Sequence, residues 1–567
     1  MRKFYGTFFT SAFMLRRQFQ RAFCTAREQM EFDLIVVGGG PSGLACAIRA
    51  KQLSPELNVC VVEKGSDIGS HIISGNIFEP RALNELIPDW KSKAAPISTA
   101  VKHDEFFVLP SKSTKVSIPH FLFPQELDNT GNYIISLGEL CKWLASEAEG
   151  LGVEVYPGFA ISDPIFDSSN RVVGVRTRDT GIAKDGSHKP SYTAGIDLMA
   201  KQVILAEGAR GSLTEQLIDH YHLRRDSCPP TYSLGLKEVW EIDPSKHKSG
   251  SVYHSVGYPI KGLSTYGGSF LYHMDNNLVH LGLVIGLDYK NPYLNTYQTF
   301  QEFKTHAWVS DLLKGGKCLS YGARVLNVGG YQALPKLSFP GGLIVGCSAG
   351  FLNLPKIKGT HTAMKSGMIA AEIASEAIAR GSYKSDLTEY ESAIKSSWMG
   401  DELYRVRNMK PAFKLGGMLG GLAYGGSFLK YFKGKEPWTL KWSSRDCDKT
   451  LPANKAEPIE YEKPDGKLTF DILDNLVRTG VKHDHDQPSH LRVKPELLDV
   501  AKGESFSKWA APESRFCPAK VYEYPEGKLQ INAQNCIHCK CCSIKTPKEF
   551  IQWTVPEGGG GPQYSSM

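Results

Sequence analysis

Four cysteines near the C-terminal end are spaced so that they could hold an iron–sulfur cluster. Cys536, Cys539 and Cys542 form a C-x2-C-x2-C run, a loop that turns successive sulfurs toward one face of a cluster. Bacterial ferredoxins follow this run with a further Cys-Pro, whose cysteine binds the other cluster of a pair. Here that position is Thr546, and an upstream Cys517-Pro518 takes the place of the remote ligand. The spacing predicts an electron carrier with one [4Fe-4S] cluster bound by Cys517, Cys536, Cys539 and Cys542.

A structural zinc site is the alternative, because four cysteines also suit tetrahedral Zn²⁺. Zinc sites usually combine two C-x2–4-C knuckles, whereas a triple run with a remote Cys-Pro favours a cluster. Cys541 is left out of the ligand set, because it faces away if Cys539 and Cys542 both bind iron. His538 and the HDHD sequence at 483–486 are predicted to lie in loops without binding a metal.

The N-terminal part has the pattern of a dinucleotide-binding fold, with a strand, a glycine-rich turn, a helix and a second strand. The apolar run at 32–37 leads into Gly38, Gly40 and Gly43. These glycines allow the turn, the approach of a pyrophosphate to the helix N-terminus, and close helix packing. A strand at 58–62 then ends at Glu63, whose carboxylate suits ribose hydroxyls and disfavours a 2′-phosphate.

FAD is predicted in preference to NAD, because the fingerprint is N-terminal and a later strand, turn and helix at 342–378 can return to the same cofactor. Flavoenzymes of this shape commonly have an aspartate in the later turn. Here Cys347 occupies that position, so backbone N–H groups are expected to substitute. No second GxGxxG follows a strand, so no nicotinamide site is predicted. The residues predicted to contact FAD are Val36, Val37, Gly38, Gly39, Gly40, Pro41, Ser42, Gly43, Leu44, Glu63, Gly346 and Gly350.

Length, composition and charge are typical of a large globular protein with a basic leader. The chain has 567 residues, 41% of them hydrophobic, which is enough for roughly two to four domains. Residues 1–27 hold six Arg or Lys and no acid, which accounts for most of the net charge of +7. Nothing in this balance favours nucleic-acid binding. The leader is predicted to be a mitochondrial transit peptide, with a disordered basic tail as the alternative.

The middle of the chain is predicted to be an inserted α+β domain of antiparallel strands. Residues 215–330 contain alternating apolar stretches at 269–274 and 278–287. On this pattern alone, Gly267-Gly268 is interpreted as a hairpin turn.

Residues 415–429 carry no charge, but this stretch is shorter than the ~18–20 residues needed to cross a bilayer. Gly417, Gly421 and Gly425 recur at every fourth position and predict one smooth helical face. Basic and aromatic residues border the stretch, as in segments that lie on a membrane surface. A buried core helix is the alternative, and the sequence does not decide between the two. The bordering residues are Lys410, Lys414, Lys430, Tyr431, Phe432, Lys433, Lys435, Trp438 and Trp442.

Several motifs together resemble the electron transfer flavoprotein–ubiquinone oxidoreductase family over almost the whole mature chain. They are GGGPSGL, YGGSFLYH, LPKIKGTHTAMKSG, SRFCPAKVYEY, LQINAQNCIHCKCC and WTVPEGGGGP. The last two are specific to that family, and Cys541 stands where the family commonly has another residue. The resemblance implies that Gly267 and Gly268 contact the quinone headgroup through backbone groups, which replaces the hairpin-turn interpretation.

The resemblance also implies an α/β plus α+β fold: a Rossmann-like FAD-binding domain, an interleaved quinone-binding α+β domain and a C-terminal ferredoxin-like [4Fe-4S] domain. The expected boundaries are a transit peptide at 1–29, the FAD-binding domain at 30–214 and 331–405, the ubiquinone-binding domain at 215–330, a membrane-surface segment at 406–440 and the iron–sulfur domain at 441–567.

The implied reaction moves electrons from reduced electron transfer flavoprotein through the cluster and FAD to ubiquinone. This would occur at the matrix face of the inner mitochondrial membrane and link fatty-acid and amino-acid dehydrogenation to the respiratory chain. Two alternatives stay open. A geranylgeranyl-reductase type of flavoenzyme would share the FAD frame without needing the cysteine tail. A flavin-fold scaffold with a zinc-stabilised tail would carry out no reaction.

Overall fold

The computed structural model describes residues 27–122, 124–262 and 264–567. The predicted transit peptide at 1–29 therefore lies outside the described residues except for its last three positions. The strands are β1 Gln29–Val37, β2 Val59–Glu63, β3 Ile77–Phe78, β4 Thr99–Ala100, β5 His103–Leu109, β6 Val116–Ile118, β7 Tyr133–Ile134, β8 Glu154–Pro157, β9 Ile161–Phe166, β10 Val172–Thr177, β11 Thr180–Ile182, β12 His188–Thr193, β13 Asp197–Leu205, β14 Tyr232–Glu241, β15 Ser251–Gly257, β16 Gly267–His273, β17 Leu278–Gly286, β18 Lys317–Asn327, β19 Ser338–Phe339, β20 Gly342–Ile344, β21 Leu491–Val493, β22 Tyr522–Glu523, β23 Gln530–Ile531 and β24 Ile551–Trp553.

The α-helices are α1 Pro41–Leu53, α2 Arg81–Leu86, α3 Leu137–Gly150, α4 Ser212–His220, α5 Thr296–Lys304, α6 Ala307–Leu313, α7 Gly346–Ala349, α8 Thr360–Ala379, α9 Glu389–Ser396, α10 Trp398–Arg405, α11 Met409–Ala423, α12 Lys430–Phe432, α13 Ile472–Leu476, α14 Ser505–Trp509, α15 Glu513–Phe516 and α16 Cys542–Lys545. A π-helical segment, Tyr424–Leu429, joins α11 to α12.

The first sheet carries the predicted dinucleotide-binding pattern. Strands β8, β2, β1, β13 and β20 run parallel in that order. The apolar run at 34–37 in β1 is buried, as is usual for a parallel strand covered on both faces. Helices α1 and α8 pack against each other beside this sheet. The Rossmann-like part of the predicted fold is confirmed.

The second sheet has the strand order β18-β14-β17-β16-β15-β5-β6. Strands β14 to β18 lie within 215–330 and pair antiparallel, as predicted. Strands β5 and β6 come from 103–118, a stretch that the predicted boundaries assign to the FAD-binding segment. Strand β5 pairs in parallel with β15, from Ser251 opposite His103 to Gly257 opposite Leu109. Alternation within a strand gives its buried face but does not give its partner.

The C-terminal tail, residues 441–567, consists of short helices and two small ladders, β21 with β24 and β22 with β23. Phe516 and Phe550 of the tail share one apolar core with Tyr321 of the second sheet. The N–H of Val325 in β18 donates a hydrogen bond of 3.1 Å to the carbonyl of Cys539. The cysteine loop is thereby held directly against the second sheet.

Candidate cofactor and metal sites

A cavity of about 550 Å³ has walls from both large sheets. Gly40 lies on its wall at the first sheet, Gly268 lies on its wall at the second, and Leu422 of helix α11 lies at a third side. Lys540 and Trp553 of the tail also reach this wall. Ligand pockets typically measure about 300–1,000 Å³, so the cavity has the size of a cofactor or substrate site.

The fingerprint end of the cavity has the geometry that a pyrophosphate requires. A Cβ atom at Gly40 would have nothing within 4 Å, so the backbone there faces open space at the start of α1. At Gly38, with φ +114°, a Cβ atom would lie 2.4 Å from the carbonyl oxygen of Ala206. Only glycine fits such a position. Of the other predicted residues, Val37, Pro41, Ser42 and Glu63 also line the cavity.

Glu63 is held by backbone donors at the end of β2. Its carboxylate accepts hydrogen bonds from the N–H of Gly39 at 3.0 Å and of Gly65 at 2.8 Å. Burial alone would raise the pKa of Glu63, but the charge of Lys64 and these two donors lower it. The carboxylate therefore stays ionised as an acceptor at the cavity wall.

Basic side chains that the sequence analysis missed surround the same end. Lys64, Arg324 and Lys540 all line the cavity. Arg324 Nη1 donates to the carbonyl of His71 at 2.8 Å, and Lys540 Nζ donates to the carbonyl of Arg210 at 2.7 Å. Burial lowers the pKa of Lys540 to about 7. Three basic side chains on the wall of this cavity favour an anionic ligand, and the diphosphate of FAD is such a group.

The later turn differs from the sequence-based expectation. Cys347 lines the cavity, whereas Gly346 and Gly350 do not lie on its wall. The N–H of Gly346 donates to Ser366 Oγ at 2.9 Å, and the N–H of Gly350 donates to the Gly346 carbonyl at 3.1 Å. These two N–H groups are therefore used within the protein, and a contact of either glycine with FAD stays a prediction.

Gly267 and Gly268 begin strand β16 and do not form a hairpin turn. They pair with Ile285 and Val284 of β17, and both line the cavity. A Cβ atom at Gly268 would lie 2.8 Å from the carbonyl oxygen of Ser255. The missing side chains leave backbone groups as the wall of the cavity at this point.

The uncharged segment has a buried side and an exposed side. The buried side agrees in part with the core-helix alternative, and attachment to a membrane surface stays a prediction. Gly417 has φ 60° and ψ −154° and interrupts α11, so the predicted smooth helical face is wrong. Gly421 packs against Phe413, because a Cβ atom there would lie 2.1 Å from the ring. The inner side is buried at Phe413, Met418, Tyr424 and Leu429.

The outer side exposes large apolar side chains, which we name the apolar ridge. Its members are Phe121, Leu122, Leu415, Leu419, Leu422, Phe428, Tyr431, Phe432 and Trp438. Two of the predicted bordering lysines face inward, where Lys410 pairs with Asp288 and Lys414 pairs with Asp446. Lys433 and Lys435 are exposed beside the ridge. Among the residues that the structure describes, every helix is too short or too polar to span a bilayer.

The four predicted cluster ligands are buried in the tail, each 6–7% exposed, whereas Cys541 is 0% exposed. Burial raises the pKa of the Cys517 thiol to about 12, and hydrogen bonds from the backbone at Val521, Ala519 and Lys520 act in the opposite direction. Burial likewise raises the pKa of Cys542, while the hydroxyl of Tyr522 opposes it. Buried sulfurs with nearby donors fit thiolate ligands, since a bound metal replaces the thiol proton.

The spacing of the sulfurs separates a cluster from a single zinc ion. Zn–S bonds of about 2.3 Å in a tetrahedron place the sulfurs about 3.8 Å apart. In the described part of the chain, no three cysteine sulfurs lie within 4.8 Å of one another. A cubane cluster spreads its ligands more widely than one ion does, so this spacing is compatible with [4Fe-4S].

A buried histidine group adjoins the cysteine loop and was missed by the sequence analysis. His483, His490 and His538 each offer a nitrogen within 4.8 Å of the others. The rings of His483 and His490 are stacked, with centroids 5.2 Å apart. His483 Nε2 lies 2.9 Å from the carbonyl of Cys536, which fixes the cluster loop. The HDHD sequence is thus solvated only at its two aspartates and its second histidine.

Three parts of the chain match models of known protein families. Residues 232–326 match the family model "ETF-QO, ubiquinone-binding", and residues 466–565 match "Electron transfer flavoprotein-ubiquinone oxidoreductase, 4Fe-4S". Residues 36–86 match the "NAD(P)-binding Rossmann-like domain".

Mitochondrial electron transfer flavoprotein-ubiquinone oxidoreductases are similar to this chain over nearly its whole length. The Arabidopsis thaliana protein is 52% identical, over 95% of this chain and 85% of its own. The Bos taurus protein is 49% identical, over 95% and 89%. In fold, a geranylgeranyl bacteriochlorophyll reductase-like protein from Thermoplasma acidophilum has a TM-score of 0.53 at 20% identity, over 73% of this chain and 94% of its own.

Proposed function

The chain belongs to the family of electron transfer flavoprotein–ubiquinone oxidoreductases, and from that membership we propose that it passes electrons from reduced electron transfer flavoprotein to ubiquinone. It is an oxidoreductase that uses FAD and one [4Fe-4S] cluster. These cofactors supply the one-electron steps that connect a protein donor to a two-electron quinone.

One observation carries the proposal: the same cavity reaches from the dinucleotide fingerprint at Gly40 to Leu422 on the apolar ridge. A cofactor bound at the first end and a lipid-soluble acceptor entering at the second would share one enclosed space. Lys540, two residues from Cys542, lies on the wall of that space, so the cluster loop adjoins it.

The assignment of groups to residues is part of the proposal. Cys517, Cys536, Cys539 and Cys542 would hold the cluster. The turn from Gly38 to Gly43, with Glu63, would hold the FAD diphosphate and ribose. Backbone groups of Gly267 and Gly268 would bind the quinone headgroup, because no side chain there covers the cavity wall.

The protein is mitochondrial, as its relatives are named. We place it at the matrix face of the inner membrane, attached by the apolar ridge without crossing the bilayer. The ridge combines exposed leucines and aromatic rings with the exposed Lys433 and Lys435, which is a surface suited to anionic headgroups.

The test is an analysis of the purified protein followed by a coupled assay. We expect one FAD per chain, about four irons with acid-labile sulfide, and oxidation of reduced electron transfer flavoprotein that depends on ubiquinone. Stoichiometric zinc without sulfide would contradict the cluster. Rapid reduction of the flavin by NADH, or reduction of a polyprenyl double bond in place of quinone, would favour a different flavoenzyme.

A further inference from the structure

A hydrogen-bonded tyrosine and histidine lie buried on the cavity wall close to Gly268. The hydroxyl of Tyr272 is 2.7 Å from His254 Nε2, and the two side chains are 1% and 6% exposed. His254 in β15 lies opposite Phe270 in β16. Because side chains alternate along a strand, Gly268, Phe270 and Tyr272 face the same side, and all three line the cavity with His254. Phe270, the partner of His254, lies two residues or about 7 Å along the strand from Gly268, whereas Tyr272 lies four residues or about 13 Å away. The hydroxyl of Tyr272 meets His254, so the polar end of the pair lies at the Phe270 position, on the side of Tyr272 nearer to Gly268.

Quinone reduction needs protons as well as electrons, because each quinone takes up two electrons and two protons to become a quinol. The wall toward the apolar ridge consists of side chains such as Met409, Phe413 and Leu422, which carry no transferable proton. The polar side chains of the second sheet that line the cavity, among them His254 and Tyr272, are candidate proton donors for the headgroup.

Two further charged groups interact electrostatically with the pair: Lys358 acts on His254, and Asp104 acts on Tyr272. Lys358 is 5% exposed, lines the cavity and donates to the Lys356 carbonyl at 2.8 Å. Burial lowers the pKa of Lys358 to about 8, so its ammonium can release a proton near neutral pH. Burial, and after it the charge of Lys358, lowers the pKa of His254 to about 3, so its imidazole is neutral. Asp104 of β5 is half-buried, interacts with Lys358 and Tyr272, and accepts two hydrogen bonds from Asn129.

We propose that the hydroxyl of Tyr272 gives a proton to ubiquinone twice in each reduction cycle, and that the neutral His254 restores it each time, giving one proton from Nε2 while taking one up at Nδ1. Lys358 and Asp104 supply these protons from solvent. The two electrons come from the flavoprotein donor and the protons come from water, so each turnover leaves the four side chains unchanged. This inference rests on the proposed function. Tyr272 is the donor, whereas His254, Lys358 and Asp104 act through it.

The experiment compares two acceptors in the holoprotein. Ubiquinone needs protons, whereas ferricyanide takes one electron and no proton. For Tyr272→Phe and His254→Gln we expect ubiquinone reduction to fall on the order of a hundredfold, with an increased solvent isotope effect. Ferricyanide reduction and FAD content should stay at the wild-type level. Tyr253→Phe is the matched control, because Tyr253 neighbours His254 but stacks on Phe107 away from the cavity.

A single-turnover measurement gives a readout that does not depend on steady-state activity. With a pH-indicator dye in weak buffer, proton uptake should keep pace with flavin oxidation in the wild type and lag behind it in Tyr272→Phe and in Lys358→Met. Loss of FAD in all of the cavity variants would mean that the groups are structural, and would overturn the inference.

The outcomes separate the inference from the function on which it rests. If the wild type does not reduce ubiquinone, the proposed function fails and the inference fails with it. If the wild type is active and the variants reduce ubiquinone at the wild-type rate, only the proton route is overturned. The same holds if the variants reduce ubiquinone and ferricyanide more slowly by the same factor.

Discussion

Gly367 lies against the backbone carbonyl of Ser42: a Cβ atom at position 367 would stand 2.1 Å from that oxygen. Helix α8 therefore touches the first turn of α1, where the fingerprint meets the cavity. Gly367→Ala should push the two helices apart, at a cost of about 1–3 kcal/mol for overpacking, and displace the turn at Gly40. We expect a lower Tm and a reduced FAD-to-protein ratio, measured by calorimetry and by the flavin absorbance of the purified protein.

Gly150→Ala is the matched control for this substitution. Gly150 ends helix α3 and is exposed, and a Cβ atom added there would have nothing within 4 Å. Its replacement should leave Tm and FAD content unchanged. Full FAD content with wild-type Tm in Gly367→Ala would show that the contact between α1 and α8 does not support the nucleotide site.

The cysteines of the tail should separate into ligands and a packing residue. Replacing Cys517, Cys536, Cys539 or Cys542 by Ala removes a thiolate and should abolish the electron paramagnetic resonance signal of the reduced cluster or leave a three-iron remnant. Since metal binding is coupled to folding, these variants should also lower Tm. Cys541 is fully buried, so Cys541→Ala should lower Tm slightly but keep the full signal. Loss of the cluster in Cys541→Ala with retention in Cys542→Ala would reverse the assignment of the third ligand.

The apolar ridge should control attachment to lipid without affecting the core. Leu415 and Leu419 are 68% and 60% exposed, so Leu415→Asp with Leu419→Asp removes apolar surface from the outer side only. Burial of a leucine contributes about 1.5–3 kcal/mol, so binding to anionic liposomes in a flotation assay should weaken at least about tenfold. Activity with a short, water-soluble quinone should survive.

Val477→Asp provides the control for the added charge. Val477 is 78% exposed but lies in the tail, away from the ridge, so its replacement should leave liposome binding unchanged. Equal binding of the ridge variant and the wild type would place the membrane contact elsewhere.

Glu402 should make stability depend on pH in the acid range. Its carboxylate lies 2.8 Å from His361 Nε2 and 2.9 Å from Lys356 Nζ. Burial alone would raise the pKa of Glu402, but these partners lower it from 4.5 to about 2. Because the folded pKa is the lower one, the stabilisation is complete above the unfolded pKa and is lost as the pH falls through the folded pKa.

The lowered pKa of Glu402 corresponds to about 3 kcal/mol of the free energy of unfolding at neutral pH. In Glu402→Gln, Tm should be lower at pH 7 and should fall less steeply than that of the wild type as the pH drops below about 4.5. Parallel Tm curves for the two proteins across this range would show that the ion pairs around Glu402 do not contribute to stability.

The sequence analysis predicted correctly the features that depend on residue spacing within a single segment. The strand, turn and helix around Gly38, Gly40 and Gly43 were predicted correctly, because neighbouring residues alone set that geometry. The antiparallel strands within 215–330 were predicted for the same reason, since alternation along a strand is a local property. The same spacing argument led to the choice of the cluster cysteines over Cys541.

The features that the sequence analysis predicted wrongly or missed depend on contacts with residues that are distant in sequence. Gly417 fits a four-residue repeat, yet it leaves the helical conformation where α11 bends over the core. Lys410 and Lys414 were expected beside the membrane surface but turn inward to Asp288 and Asp446, which no local pattern brings near them.

By itself the sequence predicted a nucleotide site from the glycine fingerprint, a cluster site from the cysteine run, and a surface or core helix from the uncharged segment. Each of these patterns is recognised from adjacent residues. Only the tertiary structure brought the fingerprint and the uncharged segment to one cavity and the cysteine loop beside it. The pairing of β5 with β15 brings Asp104 to the strand that carries His254, and the pairing of β15 with β16 brings His254 to Tyr272. The physical reason is that strand pairing is selected by packing of the whole sheet, whereas spacing along the chain fixes only the geometry of each segment.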